Sequence, residues 1–319
     1  MGIEQGKLFD VIVVGSGIGG LTAAGLLAKS GKSVLLLERH DRAGGYAHGF
    51  KRKRYCFDSG VHLTSGCGPT GYRGGQVIHK LIHALNVQEQ IEFIRINPFS
   101  HAYYPDLNIH LPHSVEAFIA SMTEQFPEEE QGLRDLINLC LQLSEELAVA
   151  DEIMVEMNHE KAQELLPGLF EYRRSTLADV YKKFIDNKKL QGVFATLWPY
   201  LGLPPSRVSF LYWSTMFIGY LVDGAYYCKG GFQVFSDTLA KGITQNGGKI
   251  RFKAHVEKVE IEDGRVKGVK LRNGQRFEAP IVIANTDMKQ TVYQLIGEQH
   301  FPLRFLKRMQ KMSHSLSIF

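Results

Sequence analysis

The spacing of apolar positions changes several times along this chain. Val11 to Val14 are continuously apolar, the pattern of a strand buried on both faces of a parallel sheet. Closely spaced glycines follow, then a helical stretch from Gly17 to Ala28 that Gly31 ends, and "SVLLLE" reads as a second strand. A similar rhythm returns late in the chain. Gly230-Gly231 open a helix with Phe232, Phe235, Leu239 and Ile243 on one face, and Gly247-Gly248 close it. "KIRF" then reads as a strand, and "VEKVEIEDGRVKGVKL" as a hairpin turning at Asp263-Gly264. "APIVIANT" is another buried parallel strand, ending at Asn285-Thr286.

The intervening residues 65–225 read mostly as helix. Pro127 starts one, with acids in its first turn and Leu133, Leu136, Cys140, Leu143 and Leu147 in a core stripe. "STLADVYKKFI" starts another, with Thr176 and Asp179 spaced as a capping box. "SRVSFLYWSTMFIGYLV" is apolar all round. With Trp198, Tyr200, Trp213, Phe217 and Tyr220 close by, it is either packed core or the wall of a greasy tunnel. "GCGPTGYRGG" is a connecting loop or, alternatively, a phosphate cradle.

The first strand, turn and helix carry the chemistry. Gly15, Gly17 and Gly20 have G-x-G-x-x-G spacing, with Glu38 eighteen positions after Gly20. Gly15 permits the tight turn, Gly17 lets backbone N–H groups approach a diphosphate, and Gly20 lets the helix lie against the strand. The helix then aims the positive end of its dipole at the phosphates. A carboxylate at Glu38 accepts hydrogen bonds from both hydroxyls of an adenosine ribose and repels a 2′-phosphate, which disfavours NADP. The candidate turn residues are thus Gly15, Ser16, Gly17, Ile18, Gly19 and Gly20, with Glu38 and its neighbour Arg39. A glycine-rich turn that holds no nucleotide is the competing reading. Gly44-Gly45 offer a second close approach to an extended cofactor, which favours FAD over NAD; otherwise they are simply a loop.

Composition narrows the field. The 319 residues carry a net charge of +4, with 44% apolar and 22% charged residues, as in an ordinary globular protein of roughly two domains. That charge is too small to argue for nucleic acid. Cys56, Cys67, Cys140 and Cys228 form no C-x-x-C pair, so they read as reduced thiols rather than zinc ligands. His79 and His83 are spaced i, i+4 but lack the glutamate of a zinc hydrolase helix, and no G-x-S-x-G elbow occurs, so no metal is expected. No secretory signal is expected, and the apolar run Val208 to Val222 has fifteen residues, short of a membrane span. The expectation is a cytoplasmic protein seated at most peripherally on a membrane. The basic run Lys51 to Arg54 reads as a hairpin tip, solvated or in contact with lipid head groups.

The order G-x-G-x-x-G, Glu, Gly-Gly resembles the flavoprotein family of the amine oxidases, protoporphyrinogen oxidase, phytoene desaturases, carotenoid isomerase and retinol saturase. "GGYAHGF" and "RYCFDSGVHL" resemble segments of the carotenoid isomerase and retinol saturase branch. Amine oxidases usually have arginine where Tyr46 stands. The resemblance implies an α/β fold: a Rossmann-like FAD-binding domain with a parallel sheet (1–64 and 226–286), interrupted by a largely helical α+β substrate domain (65–225 and 287–319). It also implies that Asp58 and Gly60 run beside the flavin, that Val256 holds the adenine edge through its backbone, that Thr286 lies by the crevice, and that His62 is the ionisable side chain nearest the chemistry. His62 is alternatively a hydrogen-bonded packing histidine. FAD is the implied cofactor, and a hydrophobic polyene or terpenoid lipid the implied substrate, undergoing desaturation, saturation or isomerisation. Two other readings stay open: an amine or porphyrinogen oxidase relative, and a flavin-free lipid binder like the GDP-dissociation-inhibitor chaperones. The family's late Gly-rich segment does not follow Thr286, and "SHSLSIF" alternates like the first half of a strand, so a shortened chain holding only the adenine half of the site is expected.

Overall fold

A computed structural model describes residues 8–70, 76–155 and 159–315. The chain divides into two compact units: Met1–Leu63 with Ile78–Ile94 and Tyr227–His314, and Thr64–Val77 with Arg95–Tyr226 and Ser315–Phe319. Two stretches differ from the sequence reading. Residues 78–94, expected in the insert, belong to the nucleotide unit, and so do residues 287–314. The reason for the first is packing, given below.

In the nucleotide unit, β1 (Val11–Val14), α1 (Ile18–Lys29) and β2 (Val34–Leu37) form the expected strand-turn-helix-strand. Next come the hairpin strands β3 (Gly49–Arg52) and β4 (Tyr55–Asp58), then α2 (Val77–Ala84). After the insert the unit resumes with α3 (Phe232–Gln245) and β5 (Lys249–Arg251). An antiparallel group follows, β6 (Val256–Glu262), β7 (Arg265–Leu271) and β8 (Arg276–Glu278), and β9 (Ile281–Ala284) returns to the parallel sheet. That sheet has the order β9-β1-β2-β5, with Val11 opposite both Ile281 and Val34.

The continuous apolar run of β1 has a direct cause. Val11 and Val13 point into a helical layer with Leu21, Leu85, Phe235 and Ile243, while Ile12 and Val14 point the other way, onto Val259, Val269 and Phe277 of the antiparallel sheet. Both faces are covered, so alternation with polar residues would cost burial energy on one side. Residues 78–94 join this layer because Ile82, Leu85 and Val87 fill it. A Cβ on Gly25 or Gly242 would lie 3.0 or 3.3 Å from the Leu85 side chain, so glycines on α1 and α3 make room for it.

In the helical unit, Pro127–Glu129 form a short 3₁₀ turn that leads into the helix Glu130–Val155. Leu133, Leu136, Cys140 and Leu143 are buried as the stripe requires. Burial raises the Cys140 thiol well above its ordinary pKa. Thr176 and Asp179 form the capping box, each side chain bonded to the other residue's backbone N–H. In "SRVSFLYWSTMFIGYLV" the helix Phe210–Ile218 is core: Trp213 stacks on Phe217 at 4.8 Å, among Phe194 and Phe210. Glu129 and Glu146 are buried acids that accept backbone N–H groups at Asp186-Asn187 and Gly168-Leu169. The expected loop "GCGPTGYRGG" and terminal strand "SHSLSIF" fall partly outside the described residues; Ser313 to Ser315 are not strand.

Candidate functional site

Val14 ends β1 at a turn that must leave the strand sharply. Gly15 takes φ +97°, and a Cβ there would lie 2.5 Å from the Asn285 carbonyl oxygen. A Cβ on Gly20 would lie 2.0 Å from the Gly15 oxygen, so only glycine lets α1 begin this close to the strand end. Gly44 and Gly45 lie against the first turn. The Gly44 N–H donates to the Ser16 carbonyl at 2.9 Å, and a Cβ on Gly45 would lie 3.1 Å from the Gly17 Cα. Both have positive φ, at +128° and +57°.

Glu38 ties the turn to the second strand. Its Oε2 accepts from the Ser16 N–H and the Ser16 hydroxyl, both at 2.7 Å, and its Oε1 accepts from the His40 N–H at 2.8 Å. Ser16 is fully buried and Glu38 is 9% exposed. A carboxylate oxygen has two acceptor sites, so Oε1 still has capacity for a ligand hydroxyl.

These groups open on a cleft of about 710 Å³. Gly15, Gly17, Ile18 and Gly19 form one wall, Glu38 and Arg39 the floor by β2, and Gly44 with Gly45 a second wall. Val256, at the start of β6, and Thr286, just after β9, complete it. Ser16 and Gly20 stand behind this surface, bracing it from within. The expected cofactor residues Asp58 and Gly60, and the expected catalytic His62, are not among the residues lining it, although Val61 between Gly60 and His62 is. The Asp58 carboxylate accepts from the Phe232 N–H at 2.8 Å and from the Tyr227 hydroxyl at 3.0 Å, so it caps α3. Desolvation, with this carboxylate, raises the Tyr227 pKa. Gly60 packs under Tyr46, where a Cβ would lie 3.0 Å from the Tyr46 oxygen. His62 is exposed, with Nδ1 3.0 Å from the Gly60 carbonyl.

The cleft also contains Asn285, which the sequence put near the crevice with Thr286, and Tyr46, Asp287 and His314, which sequence reasoning did not place there. For Asn285 the signal was present: it follows a parallel strand at its carboxyl end, where open α/β sheets bind ligands. Its amide leans over the turn, with Nδ2 2.9 Å from a Cβ built on Gly17. Asp287 accepts from the Gln290 N–H at 2.8 Å and pairs with His314 at 2.7 Å; those contacts hold its carboxyl below the ordinary range. His314 carried no signal in the sequence.

A parallel sheet, a glycine turn against a helix N-terminus and an acid at the end of the second strand define a dinucleotide-binding domain of the Rossmann type. The profile of the flavin-containing amine oxidoreductases matches residues 18–291, and the chain belongs to that family. It is 30% identical to prolycopene isomerase 2 of an Oncidium hybrid cultivar over 309 residues, 94% of this chain and 52% of the relative. It is also 30% identical to all-trans-retinol 13,14-reductase of Danio rerio over 334 residues, 97% and 53% respectively. The chain thus spans about half the length of these curated relatives. Among solved structures, a Pyrococcus furiosus protein shares the fold with TM-score 0.65 at 19% identity, over 95% of this chain and 65% of that one. A Rab GDI of Plasmodium falciparum does so with TM-score 0.52 at 16% identity, over 90% and 67%.

Proposed function

We propose that the cleft holds FAD and that the chain belongs to an oxidoreductase acting on carbon–carbon bonds of a hydrophobic polyene or terpenoid. The observation that carries this is the double glycine wall braced by Glu38. The amides at Gly17 and Gly19, at the N-terminus of α1, suit a diphosphate, while the Gly15 N–H is held by the Leu37 carbonyl at 2.8 Å; Glu38 Oε1 suits the ribose hydroxyls. The backbone at Val256 suits the adenine edge. Arg39 and Lys253 keep positive charge near that end, since both are exposed beside β2 and β6. The residues fit the group: backbone donors at the glycines, an acceptor at Glu38, and no side chain on either turn to block approach. When bound, FAD supplies a ring that takes or gives a hydride; the chain's own residues bind and orient it.

The substrate class rests on the likeness to a prolycopene isomerase and a retinol reductase. Because Rab GDI shares the fold, the fold alone does not decide between redox chemistry and lipid carriage. The test is to titrate the purified chain with FAD, NAD and NADP, reading melting temperature and flavin fluorescence. FAD is expected to raise the melting temperature and quench; NADP is expected to do neither. No response to saturating FAD overturns the proposal and favours the carrier.

A further inference from the structure

We propose that the β3–β4 hairpin is a membrane-docking finger that seats on the anionic phospholipid surface of a bilayer. Among the described residues the ribbon has two strands and no third partner. Residues 51–57 are all exposed. Lys51, Arg52, Lys53 and Arg54 form the tip, with Lys53 in the turn at φ +53°. Among the described residues no carboxylate lies within ion-pair distance of these four side chains; Arg54 instead covers the Tyr55 ring at 5.2 Å and donates to its hydroxyl. Four cations equal the chain's entire net positive charge, gathered on four consecutive residues.

The apolar half of the finger is equally unusual for a solvated turn. Phe50 and Phe57 pair across the strands and stack at 5.2 Å, yet stay 40% and 46% exposed, with Tyr55 at 54%. Strand periodicity puts Phe50, Phe57, Arg52 and Tyr55 on one face. Aromatic rings set among Lys and Arg match the bilayer interface, where rings sit at head-group depth and cations meet anionic phosphates. A nucleic-acid strand could use the cations and stack on the rings, but a net charge of +4 with its cations on one hairpin tip gives no extended basic groove to track a strand, so lipid is the better match. The base of the finger is rigid. The Gly49 N–H donates to Gln233 at 3.0 Å, Arg42 holds the Gly49 carbonyl at 3.0 Å, and Asp58 is bonded to the start of α3. Asp58 thus has a task here, anchoring the finger to a buried helix. None of this depends on the flavin assignment.

The full chain should pellet with sucrose-loaded vesicles of phosphatidylcholine plus phosphatidylglycerol and not with phosphatidylcholine alone. Each cation near an anionic surface raises the partition coefficient roughly five-fold, so changing residues 51–54 to Gln together should lower it by on the order of several hundred-fold. Phe50→Ser with Phe57→Ser should lower it by about ten-fold or more. The comparison variant changes Arg304, Lys307, Arg308 and Lys311 to Gln, removing the same charge from the exposed helix Leu303–Lys311, and should pellet nearly as well as the parent. As a readout independent of these variants, an environment-sensitive dye on exposed Cys56 of the unmutated chain should shift to the blue on phosphatidylglycerol vesicles. Equal pelleting on both vesicle types, equal loss in the helix variant, an unshifted dye, or binding to DNA in place of vesicles would each overturn the proposal.

Discussion

Replacing Glu38 with alanine tests whether this acid is only a ligand group or also a strut. The structure makes it a strut, and the proposed function makes it a ligand group as well. Three donors converge on its carboxylate, two from Ser16 and one from the His40 backbone. Hydrogen bonds to a charged group contribute about 1.5–3 kcal/mol each, but the three are not additive. His40 is exposed and its N–H can turn to water, and the Ser16 hydroxyl can rotate. The Ser16 N–H, in a residue with no exposed surface, cannot. The expected loss for Glu38→Ala without nucleotide is therefore about 2–4 kcal/mol, the cost of one stranded donor and part of the rest. In a unit of roughly 170 residues that is a fall in melting temperature of about 5–15 °C. Glu38→Gln should cost less, because one oxygen still accepts. FAD affinity should fall separately, by about ten- to hundred-fold in the alanine variant. Thermal melts with and without saturating FAD, paired with calorimetric titration, read both quantities. If the ligand-free melting temperature of Glu38→Ala stays within the error of the parent while FAD affinity collapses, the bracing role is wrong.

Gly20→Ala places a methyl 2.0 Å from the Gly15 oxygen, which should cost about 1–3 kcal/mol and abolish a melting response to FAD, with the circular dichroism spectrum of the fold retained. Among the thiols, Cys56 is exposed while Cys67, Cys140 and Cys228 are buried, and desolvation pushes Cys228 up to about 11, so a thiol reagent at pH 8 should show one fast phase that Cys56→Ser removes. Asp287 has its carboxyl lowered first by the Gln290 N–H; a depressed acid stabilises the fold above its unfolded pKa and loses that contribution as pH falls through the folded value. The stability gap between the parent and Asp287→Asn, from urea unfolding, should therefore be widest near neutral pH and close on acidification below about pH 4; a gap that is flat or widens in acid contradicts the assignment.

Much of the nucleotide unit was legible because its signals are local. A run of apolar residues, three glycines and an acid at fixed spacing name a strand, a turn and a helix with no knowledge of the rest. The capping box at Thr176 and Asp179 was legible for the same reason, since both partners lie within one turn. The segment 78–94 was not. Its helix looks like any amphipathic surface helix, and its place in the nucleotide unit depends on glycines at 25 and 242, far away in the chain, which leave space for Leu85. Trp213 and Phe217 show a different limit. An all-apolar stretch is consistent with a tunnel wall or a core, and only the stacking of those two rings among Phe194 and Phe210 decides for the core.

Asp58 carries the argument furthest. Its type and setting, an acid at a strand end near a glycine pair, match what a cofactor ligand would look like in sequence. Yet its partner is the backbone N–H of Phe232, 174 residues onward. What drew attention to it was the resemblance of its segment to one that runs beside the flavin; what it does in this fold follows a general rule, that an anion is stabilised where helix N–H groups converge. The helix it serves is α3, not α1, which faces the cleft. The same rule thus operates twice in one unit, once on α1 with backbone donors open to the cleft, and once on α3 with the anion built into the chain. Under the proposed function that difference accounts for α1 beginning with Gly17 and no side-chain cap: an acid supplied by the protein at that position would occupy the donors that a diphosphate would need.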